Sequence, residues 1–280
     1  MTNSFSDKIY LFSIDLEDVR LWMPNGEKFK ERVCANAHAY MRWLNKHNFT
    51  CTFFTVGEVA EKYPELIKDI IAEGHEIACH TNKHIPLDKQ TPDAFKKDLE
   101  QNITHLRNAG ASTLKGFRAP IFSLTEKTQW AFKILEELGF SYSSSVLPAK
   151  SPLYGWEEFG GKPKKISDKL IEIPMTVGKV GPLTIPYGGG IYFRVLPPIL
   201  TAGKLKNHST ANNPLLGYFH PYDIDTEQEH FMHPGINNSK FYNMLMYYNR
   251  DKVFSRLDKI IDKGFKICTY ENYCENILKV

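Results

Sequence analysis

Short apolar runs alternate with longer stretches of helical periodicity along most of the chain. A continuous apolar run bounded by turn residues is typical of a buried strand, whereas apolar residues repeated every three or four positions indicate an amphipathic helix. We predict strands at 9–14, 51–55, 76–79, 115–117, 140–143, 215–219 and 265–268. We predict helices at 28–46, 58–73, 92–108, 126–138, 239–263 and 270–278. This order favours parallel strands joined by crossover helices, in a barrel or in an open doubly wound sheet.

Two segments need separate interpretation. Between residues 147 and 198 the alternation breaks, and glycine, proline, lysine and aromatic residues dominate, including the run Tyr-Gly-Gly-Gly-Ile-Tyr-Phe-Arg at 187–194. We predict loops and short strands there, as an elaboration of one domain spanning 1–280. The glycine run lacks the Lys-Ser/Thr that follows in a phosphate-binding P-loop. The predicted helix 239–263 has apolar positions at Phe241, Met244 and Tyr248, which indicate packing against the core.

Composition and net charge indicate a globular protein and give no sign of a nucleic-acid or membrane partner. Hydrophobic residues make up 42% and charged residues 24%, as in a globular protein, and 35 Lys and Arg against 32 Asp and Glu leave a net charge of +3. This near balance gives no reason to expect nucleic acid or an anionic membrane surface as a partner. Residues 1–8 do not resemble a signal peptide, and no run reaches the roughly 18 apolar residues of a membrane span. Five irregularly spaced cysteines do not form a disulfide pattern, so we expect a reducing, cytoplasmic location.

The ends of two predicted strands carry metal-ligand chemistry. Asp15, Glu17 and Asp18 follow the first strand, and alternation along the strand allows Asp15 and Glu17 to share a face. A solvated loop that caps a helix is the alternative. His80 and His84 follow the third strand, and on a helical turn two such histidines could reach one ion. Two unrelated surface histidines are the alternative for that pair.

Two further strand ends complete a candidate site. Arg118 and Pro120 follow the fourth strand, where the arginine could orient a carboxylate and the proline could make the turn rigid. His220 follows a late apolar strand and is a candidate proton donor or base. Cys79 precedes His80 but points to the opposite face, so we expect a small core residue and no nucleophile. Taken together, these strand ends predict metal-assisted hydrolysis of an amide or ester.

In this order and spacing the motifs resemble the polysaccharide deacetylase family, the NodB-homology domain of carbohydrate esterases. The resemblance rests on Asp-Leu-Glu-Asp at 15–18, His-Thr-x-x-His at 80–84, Arg-x-Pro at 118–120 and the late His220, and it covers about residues 9–275. The runs at 142–148 and 187–194 also resemble a branch linked to bacterial exopolysaccharide loci. The family implies an α/β fold, a distorted (β/α) barrel of about seven strands, and a divalent metal, most often Zn²⁺.

The resemblance also implies roles for individual residues. Asp15 takes the position of the catalytic base, Arg118 would hold it, and His220 takes the position of the catalytic acid. His80 and His84 take two metal-ligand positions, and either Glu17 or Asp18 would supply the third. Aromatic residues near the expected opening could stack on sugar rings. The candidates for substrate contact are Pro120, Tyr187 and Tyr222, and further aromatic candidates are Trp22, Trp156, Tyr192 and Phe193.

One departure from the family pattern leaves alternatives open. Ser143 stands where relatives often have the aspartate that tunes the catalytic histidine, so His220 would need another partner, such as Asp223 or Asp225. The leading hypothesis is a deacetylase of an N- or O-acetylated sugar in bacterial surface polysaccharide or precursor metabolism. The alternatives are an allantoinase-like hydrolase of a small cyclic amide and a non-catalytic carbohydrate-binding relative. The expected partner is an acetylated carbohydrate, and an oligomer is possible.

Overall fold

The computed structural model describes residues 8–151, 153–208 and 210–279. Residues 1–7, where we expect no signal peptide, lie outside the described part of the chain. The strands are β1 (Ile9–Leu16), β2 (Thr52–Thr55), β3 (Glu76–Cys79), β4 (Gly116–Phe117), β5 (Tyr142–Ser143), β6 (Lys164–Lys165), β7 (Ile171–Glu172), β8 (Val177–Val180), β9 (Leu183–Pro186), β10 (Leu215–Phe219) and β11 (Lys266–Ile267).

The helices follow the strands along most of the chain. They are α1 (Val33–Lys46), α2 (Gly57–Lys62), α3 (Pro64–Ala72), α4 (Pro92–Asn108), α5 (Ala131–Glu137), α6 (Gly190–Val195), α7 (Pro198–Lys204), α8 (Lys240–Tyr247), α9 (Val253–Ile261) and α10 (Tyr270–Asn272), which continues as a π-helical segment at Tyr273–Leu278. No helix within the described ranges combines the length and the apolar character that a membrane crossing requires.

One curled, mainly parallel sheet organises these elements, as the predicted α/β barrel requires. Its strand order is β10-β1-β2-β3-β4-β5-β7-β6, with β11 also paired to β1, and β6 is antiparallel to β7. The seven strands from β10 to β7 are parallel, so the predicted fold class is confirmed. The sheet is curled enough to bring the segment after β7 against β10. There the Thr176 hydroxyl accepts a hydrogen bond from the Leu216 N–H of β10 at 2.8 Å.

Alternation along β1 determines which of its side chains point into the barrel. All eight residues of β1 are buried, which explains its nearly continuous apolar sequence. Ile9 and Leu11 belong to a cluster that also draws side chains from β2, β3, β5, β7 and β10, whereas Tyr10 and Phe12 pack with the surrounding helices. Because side chains alternate, Asp15 lies on the same face as Ile9 and Leu11, towards the barrel interior at the carboxyl end.

Several predicted helix boundaries were wrong. The predicted helix 58–73 is divided at Pro64, which begins α3, and the first helix begins only at Val33. The predicted helix 126–138 is a 3₁₀ turn at Glu126–Thr128 followed by α5. The predicted helix 239–263 is likewise divided into α8 and α9, because Asn249 adopts a left-handed backbone with φ of 54°.

The elaboration at 147–198 is partly integral to the sheet. β7 and β6 extend the main sheet, while β8 and β9 form a separate hairpin. The glycine-rich run leads into helix α6, where a loop or short strand was predicted. Here the chain approaches the barrel closely, since the Tyr10 hydroxyl donates to the Gly188 carbonyl at 2.6 Å.

Candidate active site

A cavity of about 460 Å³ opens at the carboxyl ends of the strands. One wall is polar and contains Asp15, Glu17, His84, His220 and Asp223. Many of the other lining residues are apolar. They are Val19, Trp22, Ile121, Phe122, Leu153, Ile191, Pro234 and Met246. The strand ends predicted from the sequence therefore meet at one opening.

Glu17 lies at the centre of the polar wall. Its Oε1 is 3.3 Å from His80 Nε2, 2.9 Å from His84 Nε2 and 3.8 Å from His220 Nε2. Glu17, His80 and His84 form one group whose ligand atoms lie within 4.8 Å of one another, and Asp15, Glu17 and His220 form a second. Burial raises the pKa of Glu17, but His84 and His220 outweigh burial and hold that pKa well below its usual range.

The hydrogen bonding of His80 fits a cation at this cluster. His80 Nδ1 lies 2.8 Å from the Arg118 carbonyl oxygen, which can only accept, so Nδ1 carries the proton. In the neutral ring Nε2 then presents a lone pair to the Glu17 carboxylate, which is also an acceptor. Metal-ligating histidines commonly donate their other ring N–H to a backbone carbonyl in this way. A divalent ion between these acceptors would remove the mismatch.

The histidine pair reaches this position by a route that the sequence did not predict. Residues 80–84 form no helical turn, and Thr81 and His84 have positive φ angles of 62° and 54°. The Thr81 hydroxyl accepts from the His84 N–H at 3.0 Å and fixes the loop. The Trp22 ring stacks on His84 at 4.4 Å.

Asp18, the alternative carboxylate ligand, lies apart from the cluster. Its side chain caps the turn Val19–Trp22 and forms an ion pair with Arg20 at 2.6 Å. The Tyr63 hydroxyl also donates to Asp18 at 2.9 Å. Strand alternation explains the difference, because successive side chains point to opposite faces. The geometry therefore favours Glu17 over Asp18.

Arg118 is completely buried and contacts Asp15. Its Nη1 donates to Asp15 Oδ1 at 2.5 Å and to the Ser13 hydroxyl at 2.8 Å. Its Nη2 donates to the Tyr270 hydroxyl at 2.9 Å, and the guanidinium lies 3.9 Å above the Phe54 ring. This arrangement fixes one oxygen of Asp15. The second oxygen, Oδ2, has no hydrogen bond to any residue that the structure describes.

His220 is held by Asp223, which also forms a buried ion pair with Arg194. Its Nδ1 donates to Asp223 Oδ2 at 3.0 Å, and Asp223 Oδ1 in turn accepts from Arg194 Nε at 3.0 Å. Asp225, the other predicted partner, instead pairs with Arg32 at 2.5 Å. Of the two candidates, the structure therefore places Asp223 beside the histidine. Sequence reasoning missed Arg194, although it belongs to the Tyr-Phe-Arg run.

The charges around His220 favour its protonated form. Burial lowers the pKa of His220, but the Glu17 and Asp223 carboxylates and then Asp15 raise it to about 9. For Asp223, burial raises the pKa, but Arg194 and His220 hold it well below its usual range. The pair is therefore an imidazolium beside a carboxylate at neutral pH.

Ser143 lies beside a buried carboxylate that the sequence did not indicate. Its hydroxyl is 2.7 Å from the Ser145 hydroxyl, and its register partner on β7 is Glu172. Glu172 accepts from the backbone N–H groups of Ser145 and Val146 at 2.7 and 2.8 Å. Burial raises the pKa of Glu172, partly offset by Ser143. Ser143 thus belongs to a structural network, and Asp223 supplies the charge next to His220.

The predicted substrate contacts are only partly at the cavity. Tyr222 lines it and stacks on His220 at 4.7 Å, and Trp22 lines it as well. Tyr187 does not line this cavity, because its hydroxyl is hydrogen-bonded to His208 and its ring lines a different cavity. Pro120 is buried beside the lining residues Ile121 and Phe122 but does not line the cavity itself.

The remaining aromatic candidates are also away from the cavity wall. Trp156 packs on Phe159 at 5.0 Å, and Phe193 is buried against Phe219 at 5.2 Å. Tyr192 is part of the outer surface. Cys79 is fully buried and burial raises the pKa of its thiol, which suits the predicted core role.

Fold and site together define an α/β barrel with a histidine–carboxylate cluster at the carboxyl end of its strands. Residues 31–143 match the family described as Polysaccharide deacetylase, and residues 144–275 match one described as Domain of unknown function (DUF3473). Over residues 31–143 the chain is therefore similar to polysaccharide deacetylases, and the resemblance expected from the motifs is confirmed for that segment.

Individual relatives match shorter stretches. A peptidoglycan-N-acetylglucosamine deacetylase of Bacillus cereus is 35% identical over 89 residues, 31% of this chain and 32% of the relative. A chitooligosaccharide deacetylase of Bradyrhizobium sp. (strain ANU 289) is 35% identical over 78 residues, 28% of this chain and 36% of the relative. The chain thus spans about a third of the length of these curated relatives.

A solved structure supports the same fold. A crystal structure named for a polysaccharide deacetylase from Mycobacterium smegmatis superposes with a TM-score of 0.66 at 16% identity, over 100% of this chain and 93% of that one. Of the site residues, His80, His84 and Arg118 lie within the matched segment 31–143, whereas Asp15, Glu17 and His220 lie outside it.

Proposed function

We propose that this protein is a metal-dependent hydrolase that removes an acetyl group from an N- or O-acetylated sugar, in bacterial surface polysaccharide or precursor metabolism. One observation carries the proposal: a possible metal site, an oriented carboxylate and a His–Asp pair meet at one cavity. Relatives named as deacetylases of peptidoglycan and chitooligosaccharides support the same reaction class.

Glu17, His80 and His84 would hold the divalent ion. The donor set consists of two imidazoles and one carboxylate, and further coordination positions would open to the cavity. This set suits catalytic zinc. The bound ion would polarise the acetyl carbonyl and lower the pKa of water. All five cysteines are free in the structure, which is consistent with the reducing cytoplasmic location that we propose.

Asp15 would act as the base. Arg118, whose Nη1 also donates to the Ser13 hydroxyl, holds Oδ1 and restricts rotation of the carboxylate, and Oδ2 remains to take a proton from water in the cavity. Arg118 is fully buried, and its ion pair with Asp15 places a positive charge beside the carboxylate.

His220 would act as the acid. Its Nδ1 is bonded to Asp223, so the Nε2 proton faces the Glu17 side of the cavity and can pass to the leaving amine or alcohol as the bond to the acyl carbon breaks. Tyr222 stacks on the ring and restricts its rotation. Apolar residues such as Ile121 and Leu153 also line the cavity.

The first experiment measures bound metal by elemental analysis after incubation with zinc. The wild type should hold about one equivalent, and the variant His80→Ala/His84→Ala should lose it. A matched control replaces His38 and His47, which pair with Asp69 and Asp258 outside the cluster, and should keep the ion. A wild type without metal would contradict the mechanism.

The second experiment measures acetate release from acetylated sugars and oligosaccharides. Release by the wild type and its loss in the histidine variant would support the deacetylase. Turnover of cyclic amides without acetate release would favour the allantoinase-like reaction. Sugar binding without turnover of either class would favour the non-catalytic alternative.

A further inference from the structure

An exposed aromatic surface lies on α6 and α8, outside the cavity. We define the α8 platform as Tyr192 of α6 with Phe241, Tyr242, Met244 and Tyr248 of α8 and the residue that follows it. Phe241, Met244 and Tyr248 are 62%, 55% and 49% exposed, although sequence periodicity predicted that they pack against the core. They recur at the i, i+3, i+7 spacing of one helix face, so this face is presented outward as a unit.

Polar contacts on the opposite face explain why α8 is oriented this way. The Asn243 side chain accepts from the His233 N–H at 3.0 Å and donates to the Phe231 carbonyl at 3.0 Å. The Tyr247 hydroxyl accepts from the Phe231 N–H at 3.0 Å, and its ring stacks on His230 at 4.3 Å. These contacts fix the inner face of α8. The aromatic side chains on the other face are therefore held outward.

The platform is continuous with the candidate active site. Met246 of α8 and Ile191 of α6 both line the cavity that contains Glu17 and His220. At the helical rise of 1.5 Å per residue, Phe241 lies about 8 Å from Met246 along the helix axis. A ligand that fills the cavity and continues past its edge would therefore meet the platform.

The chemistry of the platform fits an uncharged sugar chain. Residues 241–249 contain no charged side chain, and the rings of Phe241 and Tyr242 lie 5.7 Å apart. Sugar rings present C–H groups that pack on aromatic faces, while tyrosine hydroxyls can bond their oxygens. A nucleotide-linked sugar fits less well, because Arg194 is the one Arg or Lys among the described residues that line the cavity, and it is paired with Asp223.

We propose that the α8 platform binds sugar residues of an extended glycan whose acetylated residue occupies the cavity. The inference rests on the proposed function and adds a binding surface outside the cavity for the sugars that flank the acetylated residue. It also gives a role to part of the segment 144–275, since α6 and α8 both belong to the domain of unknown function.

The test measures binding without turnover. Isothermal titration calorimetry on metal-free protein would use N-acetylglucosamine oligomers from the dimer to the hexamer, because stacking on aromatic rings tolerates differences between sugars. The dissociation constant should fall about tenfold from dimer to hexamer. The double variant Phe241→Ala/Tyr242→Ala should remove this gain in affinity with chain length and leave binding of the sugar dimer unchanged. Leu183→Ala, at an equally exposed apolar position on the β8–β9 hairpin, should keep it.

Three results would overturn the proposal. The first is an affinity independent of chain length in the wild type. The second is an equal loss of dimer and hexamer binding in the double variant. The third is a mass by light scattering that shows a dimer in the wild type and a monomer in the double variant, since the platform would then be a contact between two copies. Acetate release from a short substrate should persist in the double variant, so failure of the platform is distinguishable from failure of the proposed reaction.

Discussion

Replacing Asp223 with asparagine is expected to lower the pKa of His220 while keeping its ring in place. The amide oxygen can still accept from His220 Nδ1, now at 3.0 Å from Asp223 Oδ2, but the negative charge is lost. In the wild type burial lowers the pKa of His220, while Glu17 and Asp223 raise it to about 9. The difference from the usual 6.5 corresponds to about 3 kcal/mol in favour of the protonated ring.

One adjacent opposite charge accounts for about 1–3 pKa units, so the variant should titrate at least about one unit lower. Because folding raises the pKa of His220, its contribution to stability is complete below pH 6.5 and is lost as the pH rises through 9. The stability deficit of Asp223→Asn should therefore be largest below pH 6.5 and shrink towards pH 9. A pH-independent part remains, because Arg194 loses its buried counter-ion.

The assay is an NMR titration of the histidine ring protons of metal-free protein, combined with urea unfolding at several pH values. Asp225→Asn is the matched control, since Asp225 pairs with Arg32 and should leave the pKa of His220 unchanged. The reasoning is refuted if His220 of the wild type titrates near 6.5. It is equally refuted if both asparagine variants lower the pKa of His220 by the same amount.

Three further predictions concern the barrel that carries the site. Arg118→Met should destabilise the fold by about 3–5 kcal/mol in urea unfolding, because Asp15 is left buried without its partner, and Arg118→Lys should recover part of that loss. Burial raises the pKa of Glu76 to about 7, so its charged form is disfavoured in the fold. The stability of the wild type relative to Glu76→Gln should therefore fall by about 3 kcal/mol as the pH rises from 4.5 to 7, and a pH-independent difference would contradict this cause. Gly217→Ala should cost about 1–3 kcal/mol, measured by thermal and urea unfolding, because its β-carbon would overlap the Tyr10 hydroxyl.

The site could be predicted where local rules apply. Alternation along β1 places Asp15 towards the barrel interior, and the rule that parallel strands present their carboxyl ends at one edge brings in Arg118 and His220. The grouping of His80 with His84 was also expected, but on a helical turn. The observed loop depends on left-handed residues whose conformation no local periodicity encodes.

The features that the sequence did not predict depend on contacts between distant parts of the chain. Arg194 and Asp223 are 29 positions apart, with α7 and β10 between them, so no spacing rule indicates the pair. Tyr187 was expected near the opening as one of several aromatic candidates, yet its hydroxyl is hydrogen-bonded to His208 and its ring lines a different cavity. The outward face of α8 follows from the polar contacts of Asn243, which periodicity of apolar residues cannot reveal.

The central position of β1 has a consequence for how the chain reaches its native state. One long edge of β1 pairs with β10, and its first residues pair with β11, so both partners are synthesised more than 200 residues after it. Contacts of such separation form late, because closing the intervening loop costs entropy before any pairing is gained. During synthesis the apolar β1 would therefore expose an unpaired edge, which favours association between nascent chains. We infer that a fragment restricted to residues 31–143 would fail to fold, since it lacks the strand on which its own β2 pairs.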